Sequence, residues 1–290
     1  MQVTGHIHAI RIPFRLQVSE GVTLDRFVYA YLVYGKKICL IDCGVASSEE
    51  IIFDYLRKTG RSPEEVSLLI LTHAHPDHIG GGRGIIRASR CVTASHEGDR
   101  PWIEDVDLQY KERPIMNFSS LVEGSFAINR ELKDGDILDL GGGKRLRVIH
   151  TPGHSRGSVS LFLQDEEALF SGDAVPMAGG VPIYDNVLES IRSVRKLKEI
   201  KNLRFLLTSW DDPHSGENLH ALLDQGLHYF QQIHEAVLKE KESSPSSDLP
   251  KLSAGILRRL GLPPAAGIPI VMRSFQAHME VSRHRDLSAF

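Results

Sequence analysis

The run Leu71-Thr72-His73-Ala74-His75-Pro76-Asp77-His78 places three histidines and an aspartate within six residues. It follows Val66 to Leu71, a short apolar run bounded by turn residues, which is the pattern of a buried strand. Side chains two apart on extended backbone point the same way, so His73 and His75 face one point beyond the strand end. Pro76 holds His75 extended, and Asp77 and His78 follow as the chain turns into the glycines from Gly80 onward. Two imidazoles suit a borderline divalent ion such as zinc. A carboxylate with a third imidazole suits a second ion nearby. The chain has 14 histidines in 290 residues. At that composition HxHxDH arises by chance with a probability of roughly 0.002, too low to favour coincidence.

Two later pieces complete such a site. Thr151-Pro152-Gly153-His154-Ser155 ends the β-rich run Leu146 to His150, and Ser171-Gly172-Asp173 ends the run Ala168 to Ser171. Each puts one ligand type on a loop that a rigid sheet can position. A lone loop histidine or turn carboxylate means little. Three such pieces, all at strand ends, mean more.

The elements that must hold these residues read as two similar halves. Residues 27–97 and 146–214 each run strand, strand, helix, strand, which points to two packed sheets with helices outside. In the first half, Phe27 to Tyr34 and Lys37 to Asp42 form a hairpin at Gly35-Lys36. A helix follows Ser47 and Ser48, with Glu49 and Glu50 in its first turn and Gly60 closing it. Strands are expected at Val3 to Ile12 and Cys91 to Ala94, and residues 98–130 read as an irregular insertion with some helix. In the second half, Ser158 to Leu163 and Arg204 to Thr208 are strands and Asn186 to Ile200 is a helix. A long amphipathic helix spans Gly216 to Lys241. The charged, Ser/Pro-rich stretch Lys239 to Lys251 reads as a linker. Two short helical patterns follow it, Leu252 to Leu260 and Ile268 to Val281. This division gives a catalytic unit over 1–240 and a linker with a helical extension over 241–290. So much apolar character in the extension must be buried. It caps the site, packs on the core or forms a homodimer contact.

HxHxDH, then PGH on a later strand end, then GD, resembles the metallo-β-lactamase fold superfamily, in its glyoxalase II-like hydrolase branch. Tyr31-Leu32-Val33 with Leu40-Ile41-Asp42-Cys43-Gly44 also resembles that family's opening hairpin, in which the aspartate supports the ligands. The resemblance spans roughly residues 5–235. It implies an α/β protein built as an αββα four-layer sandwich, here with a C-terminal helical extension. It further implies that His73, His75 and His154 hold one metal, that Asp77 and His78 bind a second, and that Asp173 bridges both. One position departs from the pattern. Trp210, in Thr208-Ser209-Trp210-Asp211-Asp212-Pro213-His214, stands where most hydrolases of the family carry a final histidine. Asp211 is the first expected substitute, ahead of Asp212 and His214. Otherwise the second site lacks that ligand.

A hydroxide held by such ions is a strong nucleophile at neutral pH, because the metal lowers the pKa of bound water to about 7. Asp77 is the expected catalytic residue, orienting that hydroxide or passing its proton to the leaving group. The expected cofactors are two divalent ions, zinc first, with iron or manganese as alternatives. The expected reaction is hydrolysis of a small-molecule thioester, lactone or related ester. The alternatives are a mononuclear iron persulfide dioxygenase using His73, His154 and Asp173, and a metal-binding module without turnover.

Charge and composition narrow the field. With 34 basic and 37 acidic residues, net −3, there is no general basic field, so nucleic acid is not an expected partner. No apolar run approaches the roughly 18 residues of a spanning helix, and no membrane partner is expected. Cys39, Cys43 and Cys91 cannot build a disulfide framework. With an N-terminal stretch that is not continuously apolar, they suggest a cytoplasmic location.

Overall fold

From Ile7 to Tyr34 the apolar side chains alternate between two destinations. Ala9, Tyr29, Tyr31 and Val33 enter one buried cluster, while Ile10, Ile12, Val28 and Leu32 enter another. A sheet with both faces covered follows directly from that pattern. The computed structural model describes residues 1–290 except Ser246, Ala265, Ala266 and Ser288, and the backbone alone of Ser19.

The first sheet has the order β1 (Ile7–Ser19), β2 (Val22–Tyr34), β3 (Ile38–Ile41), β4 (Val66–Ile70), β5 (Val92–His96) and β6 (Arg130–Leu132). Its first two junctions are antiparallel and the rest parallel. The second sheet contains β7 (Ile137–Asp139), β8 (Arg145–His150), β9 (Val159–Leu163), β10 (Ala168–Gly172), β11 (Phe205–Thr208) and β12 (His214–Ser215), also side by side in chain order. The inner faces meet in one core, where Tyr31 from β2 packs edge-on against Phe170 from β10 with ring centroids 5.3 Å apart.

Helices α1 (Glu49–Lys58), α2 (Pro76–Ile79), α3 (Gly82–Ser89), α4 (Arg100–Glu104) and α5 (Val106–Glu112) belong to the first half. Ile52 and Leu56 of α1 and Ile85 of α3 cover the outer face of the first sheet. Helices α6 (Val187–Lys198) and α7 (Leu219–Ser243) cover the second, with Ile191, Val194 and Leu223 against Leu169 and Leu206. The result is the four-layer αββα sandwich. The extension supplies α8 (Leu249–Arg259) and α9 (Pro269–Glu280), which pack on α7 through Ile256, Val271 and Phe275. No described helix is long and apolar enough to cross a membrane.

Several expectations shift. The strands expected at Val3 to Ile12 and Phe27 to Tyr34 are longer than that and pair with each other as the β1–β2 hairpin. Its arms run on through Ser19 and Val22, where polar and charged residues interrupt the apolar pattern. The glycines after His78 serve close packing. A Cβ on Gly80 would collide with the Leu121 carbonyl oxygen and lie 2.5 Å from Val45 Cα, and the chain past it forms α3. The stretch Lys239 to Lys251 is mostly helical: α7 continues to Ser243, and Asp248 caps α8 by accepting from Lys251 N. Lys and Glu are good helix formers, so charge there did not mean irregular chain. Ser246 in that stretch lies outside the described residues, and the expected boundary at 240 falls inside α7.

Candidate metal centre and its cavities

The candidate ligands come from the C-terminal ends of strands in both sheets. His73, His75, Asp77 and His78 follow β4, His154 follows β8 and Asp173 follows β10. Two overlapping groups form. In one, His73, His75 and His154 each bring a ring nitrogen within 4.8 Å of the others. In the second, ligand atoms of His73, His78 and Asp173 do the same. His154 Nε2 lies 2.7 Å from His75 Nδ1 and 3.2 Å from His73 Nε2. Asp173 stands between the groups, with Oδ1 3.4 Å from His78 Nε2 and Oδ2 3.4 Å from His154 Nε2.

Surrounding groups aim these nitrogens. His154 Nδ1 lies 2.5 Å from the Ile183 carbonyl oxygen, which can only accept, so the proton sits on Nδ1 and Nε2 is a bare lone pair. Asp42 accepts from Thr72 N at 2.7 Å, Thr72 Oγ1 at 2.7 Å and His78 Nδ1 at 2.9 Å. The Thr72 hydroxyl proton being committed to Asp42, its oxygen accepts from His73 Nδ1 at 3.0 Å. One carboxylate thereby frees Nε2 of both His73 and His78 toward the site, the arrangement that orients ligating imidazoles. Asp42 reaches these donors from a left-handed backbone, φ +58°, which aspartate tolerates better than most residues.

Two more groups fix the loops. Asp99, buried, accepts from Ala74 N at 2.8 Å, Ser155 Oγ at 2.6 Å and Gly157 N at 2.7 Å. It ties the HxH strand end to the PGH loop. Gly153 has φ +128°, and a Cβ there would collide with Ser190 N. Only glycine fits the turn that delivers His154.

The donor set fits divalent cations. Asp77 Oδ2, His78 Nε2 and Asp173 Oδ1 are all buried without a hydrogen-bond partner. Buried polar atoms are costly to leave unpaired. Burial disfavours a cationic His78, yet Asp173, Asp77 and Asp42 outweigh it and push its pKa well above the ordinary value. Burial would raise Asp173, but His78 and His154 draw it well below the usual carboxylate range. Burial lowers His154 to about 4. One buried carboxylate, Asp42, and two half-buried ones, Asp77 and Asp173, stand among these imidazoles, and imidazole with carboxylate is the ligand set that zinc-like ions take.

Asp77 lies at the edge of the second group, its Oδ2 3.5 Å from His78 Nε2. Asp211 is not brought in. Its Oδ2 lies 2.7 Å from His214 Nε2, and Asp212 accepts from the Tyr29 hydroxyl at 2.6 Å, so none of the three expected substitutes joins either group. Trp210 fills the position itself, and its Nε1 donates to Asp173 Oδ2 at 2.8 Å. Thr72, Asp99 and the tryptophan's hydrogen bond were not legible beforehand, because each acts through a partner distant in sequence. Nor was Arg113, buried at the end of α5.

Two cavities, of about 370 and 390 Å³, meet at the site. Both reach His154, Asp173 and Trp210 and share Leu16, Val18, Ile183 and Ile268. The first extends past His75 and Asp77 to Tyr110, Ile115 and Met116. The second runs under the 174–184 loop to Tyr229 and Phe230. Ile268, shared by both, and Ile270, in the first, bring the extension into the walls.

Fold and site together define a class. The sequence model of the metallo-beta-lactamase superfamily matches residues 23–209, and the chain belongs to that superfamily. Among curated proteins it is similar to the acyl-coenzyme A thioesterase MBLAC2 of Gallus gallus, 32% identical over 187 residues, 59% of this chain and 66% of that one. It is also similar to a hydroxyacylglutathione hydrolase of Hyphomonas neptunium, 29% identical over 147 residues, 50% of this chain and 48% of that one. The matched stretches thus span from about half to just under two thirds of those relatives' length. Among solved structures, the metallo-beta-lactamase family protein TTHA1429 of Thermus thermophilus superposes with a TM-score of 0.75 at 20% identity. That match covers 97% of this chain and 94% of that one, so the shared fold includes the C-terminal helices.

Proposed function

We propose that this chain is a metal-dependent hydrolase that cleaves a thioester or related ester. The observation that carries the reading is the convergence of His73, His75, His78, His154 and Asp173, with unpartnered atoms on His78, Asp173 and the neighbouring Asp77, where two largely apolar cavities meet. His73, His75 and His154 would hold one divalent ion, zinc being our first choice. His78, Asp77 and Asp173 would hold a second, more weakly for want of a final histidine. When bound, such ions acidify water to a pKa of about 7 and polarise a carbonyl oxygen.

The chain's own residues do the rest. The two cavities hold the two arms of the substrate, leaving the scissile carbonyl at their junction, and their apolar walls exclude bulk water. Water adds to the carbonyl carbon, the C–S or C–O bond breaks, and the leaving sulfur or oxygen takes a proton. Asp77, which lines the first cavity beside the site, takes and passes that proton. Relatives named as an acyl-coenzyme A thioesterase and a hydroxyacylglutathione hydrolase support hydrolysis over oxygen chemistry. Three buried thiols with no disulfide fit a cytoplasmic setting.

The test is a panel of thioesters, lactones and phosphodiesters offered to protein purified without chelator. Thioester or ester hydrolysis that chelation removes and zinc restores, and that His75→Ala lacks, is expected. Oxygen uptake on a persulfide with no hydrolysis would overturn the reading in favour of a mononuclear iron enzyme.

A further inference from the structure

Arg113 is 3% exposed, yet its Nε and Nη1 have no hydrogen-bond partner. Its nearest counter-charge is Asp185, whose Oδ1 lies 3.7 Å from Nη1. That oxygen is shared with Arg273, 3.5 Å away. A buried guanidinium left this way is costly, because it has lost water without gaining full replacement. Arg113 lines the first cavity together with His75 and Asp77, and among the described residues it is the only arginine or lysine that does. The remaining wall there is mostly apolar, from Phe14, Leu16, Ile115, Met116 and Leu121.

We propose that Arg113 is a specificity residue that receives a carboxylate on the substrate arm occupying the first cavity. This rests on the hydrolase reading above and deepens it. Each edge of the guanidinium presents two N–H donors to the two oxygens of a carboxylate, and pairing along one edge would satisfy one of the two donors, Nε or Nη1, that the protein leaves open. A single cation in an apolar chamber suits a monoanion; a phosphate dianion would want further donors. The second cavity, which Arg113 does not line, takes the other arm. The carboxylate could belong to the acyl half or to the thiol half of the substrate, and the experiment separates these.

Three thioesters differing in one group make the test: S-butanoyl propanethiol, S-succinyl propanethiol, and S-butanoyl 3-mercaptopropionate. Wild type, Arg113→Met and Arg113→Lys are compared after their metal content and circular dichroism are matched. One of the two acids should exceed the neutral thioester in kcat/KM by about tenfold or more, the size expected of a charge-assisted hydrogen bond. Which acid wins identifies the arm. In Arg113→Met that ratio falls toward one, and Arg113→Lys keeps part of it. A merely structural role would slow all three substrates alike and leave the ratio as in wild type. Calorimetric binding of glutarate, without turnover, gives a second reading, expected to weaken about tenfold in Arg113→Met. A wild-type ratio of one for both acids overturns the proposal, as does glutarate binding indifferent to Arg113. If no thioester is hydrolysed but glutarate binding depends on Arg113, the hydrolase reading fails and the anion subsite stands.

Discussion

Asp42 accepts three hydrogen bonds and through them fixes the rings of His73 and His78. An asparagine has only one accepting atom and would turn an N–H toward a group that itself donates. Asp42→Asn should therefore keep the fold and lose metal affinity by about 10- to 100-fold, measured by competition with a chromophoric chelator. Retention of wild-type affinity would show that the imidazoles need no such support. Trp210 works on the opposite side of the site, donating to Asp173 Oδ2 where a histidine was expected. Trp210→His should raise the metal retained after dialysis, since an imidazole adds a ligand where the indole can only donate. An unchanged metal-to-protein ratio would mean that position 210 does not reach the second ion.

At the scale of elements, α9 is wired to the metal centre. Ser274 accepts from Tyr184 N at 2.9 Å and donates to Tyr184 O at 3.0 Å, and the adjacent Ile183 carbonyl sets the tautomer of His154. Ser274→Ala should cost about 1–3 kcal/mol in denaturant unfolding by leaving buried backbone groups unpaired. His278 on the same helix lies 2.6 Å from the Tyr184 hydroxyl and 3.2 Å from His234 Nδ1. Burial, with repulsion from His234, holds its pKa well below the ordinary value. The unfolded chain takes up that proton near pH 6.5, so this contribution to stability is complete above about 6.5 and is lost as the pH falls below it. Wild type should lose more Tm than His278→Gln between about pH 7.5 and 5.5; parallel curves would contradict this.

Much of this scale was legible in advance. The strand, strand, helix, strand order of residues 27–97 and 146–214 pointed to the two sheets, and HxHxDH, PGH and GD gave the strand ends that meet. What stayed hidden has physical reasons. The hairpin arms between Pro13 and Arg26 are largely half-buried or exposed, so their pairing leaves little apolar signal. Asp99 and Arg113 lie in a weakly periodic insertion, and their partners come from other loops. Asp211 looked like a ligand because it neighbours the expected position, but at 2.7 Å from His214 it has a nearer partner.

Across the whole molecule, the site joins both sheets and the extension, so what binds there stabilises everything that meets there. Chelation should lower Tm, and restoring zinc should recover it. A free ion at about a thousand times its Kd adds about 4 kcal/mol to a fold that alone can bind it. The central claim is that side chains from three strand ends converge on a cation. Anomalous diffraction at the zinc edge from protein crystallised with zinc tests it most directly. A peak among His73 Nε2, His75 Nδ1 and His154 Nε2 is the predicted result. Zinc-grown crystals in which the three imidazoles still face one another with no peak between them would contradict it.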